Sequence, residues 1–214
     1  MADSPGRRLP VYLVLDCSGS MSGEPIEAVR QGVKALLSDL RSDPQALETA
    51  YLSVITFSSS AQQVSPLTEL MLFQEPNLNA GGSTSLGEAL RLLETCIDKE
   101  VKKGTATQKG DWKPLIFLMT DGQPTDSWEA AADRIKNRKL NFIACAAGSG
   151  ADGTLLKRAT EIVVELSNLQ PDALKAFFKW VSSSIKTTSQ SVAQVAADAP
   201  VNLPPPPPQI TIVP

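Results

Sequence analysis

The chain has 214 residues, 42% of them hydrophobic and 20% charged, with a formal net charge of −3. That is enough for one sizeable core with a short appendage at ordinary globular composition, and the slight acidic balance argues against nucleic acid or an anionic membrane as the main partner. There is no histidine, so every Ser-His, Cys-His and histidine–metal mechanism is excluded at once.

The first element is a buried strand, "PVYLVLD", which ends on Asp16. From Pro25, the residues Ile26, Val29, Val33, Leu37 and Leu40 recur at helical spacing, with proline at a first helical position. Tyr51 to Phe57 reads as a second strand, and "AQQVSPL" after the "SSS" turn as an antiparallel edge strand. Leu86, Leu90, Leu93 and Ile97 mark a helix ending near Lys103 and Gly104. The lysines from Lys99 to Lys113 read as a solvated helix end and loop. "PLIFLMTD" is the most apolar strand. A helix over Ser127 to Arg138, the strand "NFIACAAG", a short helix "TLLKRAT" and the strand "EIVVEL" follow. The last helix starts near Pro171, buries Leu174, Phe177, Phe178, Val181 and Ile185, and weakens beyond Thr188.

This alternation predicts an α/β fold, Rossmann-like and doubly wound: a mostly parallel sheet with one antiparallel edge strand and helices on both faces. Residues 1–8 are expected to be a flexible N-terminus, 9–190 the folded domain and 191–214 a Pro-rich C-terminal tail. No apolar run reaches the roughly 18 residues of a membrane span. "MADSPGRRLP" carries two arginines but no apolar stretch of a secretory signal. Cys17, Cys96 and Cys145 are odd in number and widely spaced, without a C-x-x-C pair, which fits a reducing compartment and not a zinc site. The expected location is cytoplasmic.

In such sheets ligands bind beyond the carboxyl ends of the strands, where the strand order reverses. Three polar loops fall at that edge: "DCSGS" (Asp16 to Ser20), "AGGSTSLGEAL" with Thr84 just before a helix, and "TDGQPTD" with Asp121. If the strands ending on Asp16 and Asp121 are neighbours, two carboxylates meet the hydroxyls of Ser18, Ser20 and Thr84. An all-oxygen set suits Mg2+, with Mn2+ or Ca2+ as alternatives.

This constellation resembles the von Willebrand factor type A (vWA) domain and its metal-ion-dependent adhesion site, MIDAS. D-x-S-x-S matches Asp16, Ser18 and Ser20; G-x-T matches Gly82, Ser83 and Thr84; T-D-G matches Thr120, Asp121 and Gly122. Within the family, "LDCSGSM", "GSTSLGEAL" and "MTDGQPTDSW" are most similar to the TerY-type proteins of bacterial tellurium-resistance systems. The resemblance implies a vWA fold over about residues 9–190 and a metal held directly by Ser18 and Ser20. Asp16 and Asp121 would bind it directly or through water. Thr84 would bind directly in one state and through water in another. It further implies one metal position left for an Asp or Glu of a protein partner. The implied role is a non-enzymatic scaffold or regulator in a tellurite or stress-response module, with a serine/threonine kinase or PP2C-type phosphatase as partner.

Local readings stand beside these. Ser85 and Glu88 have capping-box spacing, as do Asp126 and Glu129, so Asp126 is expected to cap or order its loop, with a rim contact as the alternative. Trp128 is expected to pack against the loop, and Cys17 to be a small buried residue. The alternative function is a magnesium-dependent phosphatase of the aspartyl-phosphate type. It needs a general acid two residues after the nucleophile, where this chain has Ser18. A dinucleotide-binding reading fails for want of G-x-G-x-x-G after the first strand. "QITIV" after five prolines is β-prone. It reads as part of a connector or as a strand added to a sheet edge, here or on a partner, with Gln62 to Pro66 a candidate acceptor.

Overall fold

The computed structural model describes residues 7–138, 140–194 and 203–214. In chain order the elements are β1 (Leu9–Asp16), α1 (Glu24–Arg41), α2 (Pro44–Thr49), β2 (Ala50–Phe57), β3 (Ala61–Glu69), α3 (Leu86–Glu100), β4 (Leu115–Thr120), α4 (Glu129–Asn137), β5 (Asn141–Ala147), α5 (Gly153–Leu156), β6 (Ile162–Leu166), α6 (Pro171–Gln194) and β7 (Ile210–Ile212). The sheet has the order β3-β2-β1-β4-β5-β6-β7. β1, β2, β4, β5 and β6 run parallel, and β3 and β7 pair antiparallel at the two edges. The expected mostly parallel α/β sheet is therefore present, with a second antiparallel edge that the sequence reading did not place.

Alternation along the strands builds two cores. Val11, Leu13 and Leu15 face one side with Val33, Leu37, Phe177 and Val181, under α1 and α6. Tyr12 and Val14 face the other with Leu90, Leu93, Ala131 and Ile135, under α3 and α4. A strand buried on both faces has no polar positions to spend, which is why β1 and β4 read as continuous apolar runs.

The structure departs from expectation at several boundaries. Helix α2, headed by Asp43 and Pro44, was not anticipated; Asp43 caps it by accepting from Ala46 N at 2.8 Å. Helix α3 stops at Glu100, and Lys102 and Lys103 lie exposed in the loop beyond it. Arg7 and Arg8, assigned to a flexible N-terminus, are held. Arg7 stacks on Trp112 at 3.4 Å, and Arg8 donates to Asp111 at 2.9 Å and to the Glu100 carbonyl at 2.8 Å; residues 1–6 lie outside the described residues. Helix α6 runs past residue 190 to Gln194. Along its polar end the hydroxyls of Ser184, Thr188 and Ser191 are satisfied inside the helix by bonds to carbonyls four residues earlier, at 2.7–2.8 Å. The tail strand joins the sheet at β6, at the edge opposite to β3, the strand that contains the expected acceptor Gln62 to Pro66. Among the described residues no helix is long and apolar enough to cross a membrane.

Candidate metal centre

β1 and β4 are neighbours, in register from Val11 with Leu115 to Leu15 with Met119. β1 continues to β2 on one side and β4 lies on the other, so the strand order reverses there. Asp16 and Asp121 therefore emerge side by side into the crevice such a reversal opens.

The first loop leaves β1 in a single 3-10 turn, Gly19–Met21. Ser18 N donates to Asp16 Oδ1 at 2.8 Å, and Thr120 Oγ1 donates to Asp16 Oδ2 at 2.6 Å. The hydroxyls of Ser18 and Ser20 lie 3.1 Å apart, and Ser20 Oγ donates to Asp121 Oδ1 at 2.9 Å. Four of the expected residues, Asp16, Ser18, Ser20 and Asp121, thus form one hydrogen-bonded set drawn from β1, its loop and the end of β4.

Thr84 reaches the same place through its backbone. Its N–H donates to Thr125 Oγ1 at 3.1 Å, and its carbonyl accepts from Thr125 N at 2.9 Å. Its hydroxyl lies 3.5 Å from where a Cβ on Gly122 would stand, beside Asp121. The second loop is also pinned to the first: Gly19 N donates to the Gly82 carbonyl at 2.9 Å, and Gly81 N to the Cys17 carbonyl at 2.8 Å. Gly82 has φ +84°, and a Cβ there would sit 2.3 Å from Ser59 Oγ, so only glycine fits.

Two local expectations change partner. Ser85 is the residue before α3 but makes no side-chain cap; its hydroxyl donates to the Ser59 carbonyl at 3.2 Å. Asp126 supplies the cap instead, its two carboxylate oxygens accepting from Gly87 N and Glu88 N at 2.9 Å each. It caps α3 across the chain rather than its own helix. Trp128, expected to pack against the loop, is buried in the core on the α3 side of the sheet. Cys17 is buried too, and burial followed by the adjacent Asp16 charge pushes its thiol up to about 12. Sequence reasoning missed the roles of Thr120 and Thr125; the T-D-G match contained Thr120 but gave it no function.

The electrostatics ask for a cation. Asp16 is fully buried, and its pKa is raised, first by that burial and in smaller part by the charge of Asp121; the bonds from Thr120 and Ser18 work against the rise. A buried carboxylate beside a second one is costly unless a positive charge joins it. The donor set is oxygen only, the chemistry of a hard divalent ion. Among the described residues no group of three or more His, Cys, Asp or Glu gathers anywhere, so a metal here would be held by two carboxylates and hydroxyls.

Comparisons with known proteins agree with this geometry. The family model for the von Willebrand factor type A domain matches residues 11–165. An uncharacterized protein of Synechocystis is 38% identical over 131 residues, 57% of this chain and 27% of that protein. The E3 ubiquitin-protein ligase WAVH1 of Arabidopsis thaliana is 44% identical over 150 residues, 60% of this chain and 20% of that protein. The chain thus spans little more than a quarter of these relatives at most. Among solved structures, a von Willebrand factor type A protein from Catenulispora acidiphila superposes with a TM-score of 0.66 at 19% identity, covering 85% of this chain and 43% of that one. Proximal thread matrix protein 1 from the mussel byssus, solved with a zinc-occupied MIDAS motif, gives 0.60 at 20% identity, covering 83% of this chain and 48% of that one. With its sheet, its loops and the family model in agreement over most of its length, the chain belongs to the von Willebrand factor type A domain family.

Proposed function

We propose that this chain is a metal-dependent protein-interaction module. The observation that carries the reading is Asp16: a fully buried carboxylate, near a second one at Asp121 and gathered with the hydroxyls of Ser18 and Ser20. Ser18, Ser20, Asp16 and Asp121 would hold Mg2+ or a similar hard divalent ion, with Thr84 in reach from the second loop. The ion would supply a positive charge at the sheet edge. Two serines, a threonine and two aspartates, some of them acting through water, leave one coordination position open, and it suits an Asp or Glu of a protein partner. The likeness of "LDCSGSM", "GSTSLGEAL" and "MTDGQPTDSW" to TerY-type proteins supports a finer reading: a cytoplasmic scaffold or regulator in a bacterial tellurite or stress-response module, with a serine/threonine kinase or PP2C-type phosphatase as partner. No catalysis is proposed, because Ser18 stands where an aspartyl-phosphate enzyme would need its acid.

The experiment is thermal melting of the whole chain with and without Mg2+, Mn2+ and Zn2+, the last because of the zinc-occupied mussel protein. Metal at a hundredfold its Kd stabilises by about 2.7 kcal/mol, a rise of about 5–10 °C for a domain of this size. Asp16→Asn and Ser20→Ala should each remove most of the rise. A melting point indifferent to all three ions overturns the reading.

A further inference from the structure

The C-terminal segment is a strap with two kinds of grip. Its proline run lies on α6: Trp180 Nε1–H donates to the Pro204 carbonyl at 2.9 Å, and Pro204, Pro205 and Pro207 line a shallow cavity with Lys179, Trp180 and Ser183. Ile210 N then donates to the Pro207 carbonyl at 2.9 Å and turns the chain into β7. There Ile210, Thr211 and Ile212 pair with Leu166, Glu165 and Val164, and Val213 N donates to the Val163 carbonyl at 2.9 Å. Ile210 is buried in the core under α6, whereas Val213 packs on the opposite core, where a Cβ on Gly153 would come within 3.0 Å of its methyl.

These are two recognition modes that proteins use for peptides supplied by others. An aromatic N–H and ring hold a preformed polyproline rod, and an open sheet edge takes up a strand. Without β7, β6 would be an unpaired edge strand. The hold is also short: β7 spans three residues, and Ile212 is 56% exposed. Each chain carries one such groove and one matching segment, so two copies that trade segments fill both grooves and close on a twofold axis.

We propose that the β6 edge and the Trp180 face of α6 form a docking groove for a proline-then-strand segment, and that its occupant in trans is residues 203–214 of a second copy of this chain. The contacts that build the groove involve none of Asp16, Ser18, Ser20, Thr84 and Asp121, so the proposal does not rest on the metal.

The test uses the full chain, a labelled synthetic peptide of residues 203–214, and light scattering after incubation at high concentration. In the wild type the tethered segment competes at roughly millimolar effective concentration, so the free peptide should bind weakly. Val213→Pro removes the donor to Val163 and loosens the tethered segment while leaving the groove intact. That chain should bind the peptide about tenfold more tightly or better. Adding Trp180→Phe, which keeps the ring but loses the donor, should weaken the binding again. The wild type should show a dimer fraction that grows with concentration and falls with excess peptide. A Val213→Pro chain that melts near the wild type yet ignores the peptide overturns the groove, as does one that no longer folds, since the strand is then inseparable from the domain. Peptide binding with a wild type that stays monomeric overturns the second copy as occupant.

Discussion

At the scale of single residues, the chemistry rests on how Asp16 is kept in place. Burial raises its pKa; Ser18 N and Thr120 Oγ1 each donate to one carboxylate oxygen, oppose that rise and fix the orientation of the group. Thr120 is therefore a positioning residue behind the site. Thr120→Val keeps the shape and removes one donor from a fully buried carboxylate. The expected loss is about 1–3 kcal/mol in denaturant unfolding. Metal affinity, read by titration calorimetry, should fall about tenfold or more, as for other groups that orient a ligand from behind. A variant with lowered stability and unchanged affinity would show Thr120 to be structural only.

At the scale of elements, the second and third loops are placed by the N-terminus of α3. Its first turn approaches the third loop so closely that a Cβ on Gly87 would stand 2.5 Å from the Ser127 carbonyl. Asp126 fills that contact with two bonds to orphan helix N–H groups. Asp126→Ala should cost about 1–2 kcal/mol, the value of a lost N-cap. Because Thr84 sits two residues before the helix and exchanges backbone bonds with Thr125, metal binding should weaken as well; Asp126→Asn should recover part of both. The sequence shows much of this level. Apolar runs and helical spacing marked every central strand and the main helices, and the three motif loops named the residues that meet. Capping spacing, however, reports only partners nearby in the chain, so it pointed Asp126 at α4 and Ser85 at α3. The true pairing depends on loops nearly 40 residues apart. Likewise "QITIV" announced a strand, but its pairing with Val164, Glu165 and Leu166 is a contact between distant parts of the chain that no local pattern reports. Asp43 and Pro44 did carry the start signal of α2; at six residues, that helix gave no periodicity to confirm it.

At the scale of the molecule, the metal loops sit on a sheet clamped between two helical layers, and the layer of α1 and α6 carries a charged clasp. Lys186 Nζ on α6 lies 2.6 Å from Asp39 Oδ1 on α1, and Ser182 donates to the other carboxylate oxygen. Burial alone would raise the Asp39 pKa; the bonds from Lys186 and Ser182 and the Lys186 charge outweigh it and bring the group below its ordinary value. A carboxylate depressed in the folded state contributes stability that is fully present above its unfolded pKa, near 4, and is lost as pH falls through the lower folded value. The Asp39 side chain is 41% exposed, so solvent screening keeps the contribution small, about 0.3–1 kcal/mol, or about 1–3 °C in melting. Asp39→Asn should therefore melt below the wild type at pH 6, and the two should converge only as pH falls below the depressed folded pKa, where the native carboxylate is itself neutral. Asp98 and Asp133, also depressed by their arginine partners, will lower both proteins alike in acid and so cancel from the difference. High salt at pH 6 should narrow the same gap. A gap that stays constant across pH and salt would mean that Asp39 joins the helices by packing and neutral hydrogen bonds alone.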